Sequence, residues 1–125
     1  IQEEKILFAG DLLMPIPLVT DGDVDLAIAS LETLKGLSLD YVVQGHGGVL
    51  LKGEITDVLE DNIRYLRNLK AKVAEAISRK RPLEKLLKVK LEEFGKSPFA
   101  MGAMGEPIHK ANIMAVYEAL KKGLT

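Results

Sequence analysis

The sequence predicts an α/β fold, ordered strand, helix, strand and then three helices. Three observations predict it. Two short β-rich apolar runs end in glycine-containing steps, Lys5–Gly10 and Asp40–Gln44 with the glycines that follow it. The segment between them has apolar residues at helical spacing. From residue 55 onward the apolar residues keep a period near 3.6 almost to the end. With 125 residues, 47% of them apolar, the chain is long enough for one ordinary domain with a real core.

The elements follow in order. Lys5-Ile6-Leu7-Phe8-Ala9-Gly10 has four consecutive apolar residues stopped by glycine, the pattern of a strand buried on both faces. Met14-Pro15-Ile16-Pro17 is an extended loop, because proline lacks the amide donor that a helix interior needs. Asp23 is placed to cap a helix in which Leu26, Ala27, Ser30, Leu31 and Leu34 share a side, and Gly36 ends it. Asp40–Gln44 is a second short buried strand, broken by Gly45-His46-Gly47-Gly48. Val49-Leu50-Leu51 reads as a short apolar link.

A long helix is expected from about Ile55 to Lys80, with a stripe through Leu59, Ile63, Leu66, Leu69, Val73 and Ile77. Pro82 interrupts it. Leu83–Phe94 reads as a second amphipathic helix closed by Gly95, and residues 96–106 as a loop. Pro107 suits the first turn of a last helix carrying Ile108, Ile113, Val116, Tyr117 and Leu120.

Composition excludes several classes. A formal net charge of −1 with no long basic run argues against a nucleic-acid surface. Without cysteine there is no disulfide and no thiolate metal site, so any metal must be held by His, Asp or Glu. No apolar run approaches the ~20 residues that span a bilayer. No basic-then-apolar leader is visible, so a cytoplasmic location is expected. The first residue is Ile1 rather than Met, which suggests a piece of a longer protein.

A crossover through a helix makes the two strands parallel. Asp11 and His46, each just beyond a strand, should then face one crevice at the carboxyl ends, where α/β folds bind ligands. Asp11 offers two oxygens and so can bridge two cations; His46 offers one ring nitrogen, with flanking glycines that let the backbone turn tightly. Each residue alone has an ordinary reading as a turn, cap or packing residue. Their shared position at the ends of linked strands shifts the balance toward function. Two ligands fall short of the three or four that zinc usually takes, so tight binding by this chain alone is not expected. His109, in the first turn of the last helix, reads as solvated or packed rather than as a ligand. Asp21 and Asp23 read as capping residues, and Gly45-His46-Gly47-Gly48 lacks phosphate-loop spacing. Met101 and Met104 either line an apolar pocket or partner surface, or simply pack a loop.

Ile6-Leu7-Phe8-Ala9-Gly10-Asp11-Leu12-Leu13 resembles the strand and Gly-Asp step of metallo-β-lactamase-fold proteins. Ser30–Leu34 resembles the helix that follows, and Asp40–Gly47 the second strand with its Gly-His-Gly step. The likeness spans residues 5 to about 77; Leu83–Thr125 resembles the helical extension of some branches, including those grouped with sulfur-oxidation and quinoprotein-associated hydrolases. The resemblance implies the C-terminal half of an αβ/βα sandwich over residues 1–80 and a helical extension over 81–125. It implies a dinuclear centre holding two divalent ions, zinc with iron or manganese as alternatives. Asp11 would bridge the pair, and His46 would bind one ion. A metal-bound hydroxide would attack an ester, thioester, amide or phosphodiester. The family's H-x-H-x-D-H motif and its next histidine are absent, so the chain alone is expected to be inactive; Gln44 stands where proline is common, a tolerable departure.

Two strands under one helical layer leave a sheet face uncovered. That face is expected to pair with the N-terminal half of the same fold, a second copy, or another chain. The alternatives are a non-catalytic module that oligomerises or binds through its helices, and, more weakly, an iron redox protein of the same fold.

Overall fold

In the computed structural model, residues 6–10, 16–19, 21–44, 48–97 and 100–123 are described. β1 (Ile6–Gly10) lies parallel to β2 (Tyr41–Gln44), and β3 (Val49–Leu51) runs antiparallel along the other side of β2. The sheet order is β1-β2-β3. The parallel pair is joined through α1 (Val24–Lys35), as expected of a helical crossover. The third strand is a correction. Three apolar residues are too few to show alternation, and it is pairing with β2 that makes Val49–Leu51 a strand.

Register in the parallel pair runs Ile6↔Tyr41, Leu7↔Val42 and Phe8↔Val43, then slips so that Gly10 faces Gln44. The extra residue in β1 is a bulge, a device that bends a strand and increases its local twist.

Local chemistry sets the helix ends. The Asp23 carboxylate accepts the Leu26 N–H at 3.0 Å, and the Asp21 carboxylate accepts the Asp23 N–H at 3.0 Å, so both aspartates act as caps. α2 (Lys52–Ser78) follows β3 directly, and the Glu54 carboxylate accepts the Leu51 N–H at 3.0 Å. At its far end Lys80 takes a left-handed conformation, φ 57°. Arg81 N–H then reaches the Ala76 carbonyl at 2.8 Å and Lys80 N–H the Ile77 carbonyl at 3.0 Å, a Schellman closure.

The helix expected over Leu83–Phe94 is divided into α3 (Leu83–Leu86) and a 3-10 turn at Leu91–Phe94. Side chains explain the break. Glu93 accepts the Lys90 N–H at 3.0 Å and Glu106 accepts the Leu91 N–H at 2.9 Å, which occupies donors that a continuous helix would turn inward. The 96–106 stretch, expected to be a loop, contains a second 3-10 turn at Gly102–Met104 and the start of α4 (Gly105–Lys121), with Pro107 in its first turn.

α2 is the spine, packed by α1 on one side and α4 on another. Leu31 from α1, Leu59, Leu66 and Val73 from α2, and Ile113 and Val116 from α4 meet in one buried core. The sheet adds Val42 and Leu50, with Leu7 partly buried beside them. The opposite face is open: Ile6, Phe8, Val49 and Leu51 are 49, 78, 53 and 55% exposed. Register aligns Ile6, Tyr41 and Leu51 in one row and Phe8, Val43 and Val49 in the next. β1 is therefore covered on one face, not two, because its four apolar residues carry no sign of which face meets the helices. The domain is a small α/β unit, mostly helical, and no helix among the described residues is long and apolar enough to cross a membrane.

Candidate functional site

β1 and β2 end at the same edge of the sheet, with Gly10 and Gln44 as register partners. Asp11 follows Gly10 directly in sequence, and His46 follows Gln44 by two residues. Asp11 and His46 themselves lie outside the described residues. What surrounds them in the chain is well held. The Gln44 side-chain amide donates to the Gly48 carbonyl at 3.0 Å, tying together the two ends of the glycine-rich segment. The bulge sits in β1 just ahead of Gly10.

Residues 16–19 are strapped to α4. Ile16, Pro17 and Val19 are buried. The Asn112 carbonyl oxygen accepts the Val19 N–H at 2.8 Å, and its amide donates to the Pro17 carbonyl at 2.7 Å and to the Tyr65 hydroxyl at 3.1 Å. Gly22, with φ 73°, lies so close to α4 that a Cβ there would stand 2.3 Å from the Ala115 carbonyl oxygen. Only a residue without a side chain meets both demands.

Asn112 donates to the Tyr65 hydroxyl, which lies 2.8 Å from His109 Nδ1. With the Tyr65 proton on that bond, His109 carries its own on Nε2, which is buried. Burial drives the His109 pKa below its ordinary value, with the Glu106 charge and the Val89 backbone opposing. Burial likewise pushes the Tyr65 phenol up, with Asn112 opposing and Glu106 reinforcing. Phe94 packs edge-on against the imidazole at 4.5 Å between ring centres. His109 is thus a packed residue, as the sequence suggested, and it anchors a network that the sequence did not suggest. The signal for it is faint: His109 and Asn112 stand three apart on one helix, and Tyr65 lies beside the α2 stripe.

Two surface depressions carry charged side chains. One, of about 280 Å³, adjoins the end of β2 and is lined by Gln44, Leu50, Val58, Asp61, Lys96 and Ala100, among others. The other, of about 420 Å³, runs between α1 and α2. Its charges satisfy one another in exposed pairs, Lys35 with Glu60 at 3.6 Å and Arg67 with Glu32 at 3.4 Å, the ordinary chemistry of a solvated face. Met101 packs partly buried against the core, while Met104 is exposed.

Among the described residues no three His, Asp or Glu gather as a metal would require. Comparison with models of known protein families and with curated proteins finds no match to this chain.

Proposed function

We propose that this chain is the C-terminal part of a metal-dependent hydrolase of the metallo-β-lactamase superfamily, in which Asp11 and His46 hold metal. The observation that carries the reading is the register of the parallel pair. Gly10 and Gln44 are partners at one sheet edge, and Asp11 and His46 follow them in sequence by one and two residues. A pair of divalent ions there, zinc with iron or manganese as alternatives, would supply Lewis acidity and an activated water.

The chain's own residues do the rest. The bulge and the Gln44–Gly48 hydrogen bond set the two exits from the sheet. Asn112 ties Pro17 and Val19, which come a few residues after Asp11 in sequence, to α4. The remaining ligands come from the N-terminal half of the fold, so this part alone is inactive, and the whole protein works in the cytoplasm. The open sheet face, with its two apolar rows, supports a partner of that kind or a second copy, because apolar patches of this sort mark interfaces. The helical-module alternative has less support, since the α2 stripe is already buried inside the domain.

Metal content measured on the full-length protein tests the reading. Wild type should carry bound metal and hydrolytic activity, and Asp11→Ala and His46→Ala should each lose both. Unchanged metal content and activity in both variants would overturn it.

A further inference from the structure

We propose that the pocket beside the end of β2 is a binding site for a small carboxylate bearing a short apolar tail. The claim is independent of the metal reading, because it uses neither Asp11 nor His46.

The pocket has two characters. Leu50, Val58 and Ala100 give it an apolar wall, and Asp61, Asn62 and Lys96 gather a polar one. Lys96 is the unusual member. Its side chain is 6% exposed, whereas that of its partner Asp61 is 40% exposed. The ammonium contacts the Asp61 carboxylate, lies 2.5 Å from the Asn62 side-chain oxygen, and sits 6.0 Å from the Tyr65 ring centre. Burial pulls the lysine's pKa below the ordinary value; Asp61 opposes this and the nearby Arg64 charge reinforces it.

The inequality of exposure is what points to a ligand. A lysine taken out of water needs an anion beside it, since an unpaired buried charge is strongly destabilising. Here the cation is fixed in the protein, and its counter-ion belongs to a half-exposed side chain on α2. An incoming carboxylate can take over the ammonium while Asp61 turns out to water, where a free carboxylate is well solvated. The apolar wall receives the tail, and the volume of about 280 Å³ is ample for a chain of some six carbons. Asp61 beside the ammonium offsets much of its charge, which favours a monoanion over a dianionic phosphate. Gln44 at the rim puts the occupant next to the strand ends.

Hexanoate titrated into the full chain, followed through the backbone amide resonances of Gln44 and Ala100, tests this. Saturable shifts are expected with hexanoate and not with hexylammonium or hexanol. Affinity should rise roughly fourfold per methylene from butanoate to hexanoate. Asp61→Asn should tighten binding several-fold by removing the internal competitor. Lys96→Met should abolish it. Should Lys96→Met fail to fold, Val58→Phe, which fills the apolar wall from a partly exposed helix position, should abolish binding in a folded protein. Shifts that do not saturate, equal shifts with hexylammonium, or undiminished hexanoate binding in Val58→Phe would each overturn the proposal.

Discussion

The two faces of the three-stranded sheet have the same apolar character and opposite fates. Leu7, Val42 and Leu50 turn toward α2 and join the core. Ile6, Phe8, Val49 and Leu51 turn away and stay largely exposed. Apolar surface of equal quality is therefore sealed on one side and left over on the other. The helical layer buries its apolar surface within this chain, whereas the sheet buries only one of its two faces. Burial on the first side stabilises this chain; burial on the second would stabilise an assembly.

That contrast can be broken at several points. Leu66→Ala, in the spine helix with no exposure, should cost about 2–5 kcal/mol in denaturant unfolding, the range for a large-to-small core change. A loss below ~1 kcal/mol would mean the helical layer is less tightly built than its burial implies. Asn112→Ala should cost about 1–3 kcal/mol, because the Val19 N–H and the Pro17 carbonyl would be buried without a partner. Amide exchange at Val19 should accelerate in the same variant; unchanged exchange there would separate α4 from the strap.

A smaller effect is expected from pH. His109 has a lowered pKa when folded, so below about pH 6.5 the unfolded chain takes up a proton that the folded chain resists. Stability should therefore decline as pH falls through 6.5 and continue to fall until the lower folded value is reached. His109→Gln should flatten that part of the curve, and an identical slope would reassign the acid sensitivity to other groups. The smallest change in monomer stability should come from Phe8→Ser on the open face, within about 0.5 kcal/mol. Its effect should appear in association, as weaker self-assembly or weaker pairing with the N-terminal half in sedimentation velocity. A large destabilisation of the monomer would show that Phe8 packs within this chain after all.

Periodicity made the helices legible. The α2 stripe, Asp23 as a cap and Pro107 in a first turn all follow from spacing and backbone chemistry. The parallel pairing followed from the crossover. What stayed hidden depends on partners distant in sequence. β3 is defined by β2, and the break between α3 and the Leu91–Phe94 turn is made in part by Glu106, fifteen residues beyond Leu91. The exposure of one face of β1 is hidden for the same reason, since an unbroken apolar run looks alike whether one side or both are covered. Of the candidate site, the strand ends were legible. Tyr65 and Lys96 were not, because a tyrosine beside an apolar stripe and a lysine after a glycine have no local mark of burial.

The left-handed lysine at the end of α2 has a long reach. Because Lys80 reverses the backbone there, the chain comes back along its own spine, and Phe94 arrives beside Tyr65 with its carbonyl accepting from Asn68 at 3.3 Å. A single pair of torsion angles thus decides whether the second half of the molecule folds home. Glycine at that hinge would ease the reversal, and a β-branched residue would resist it.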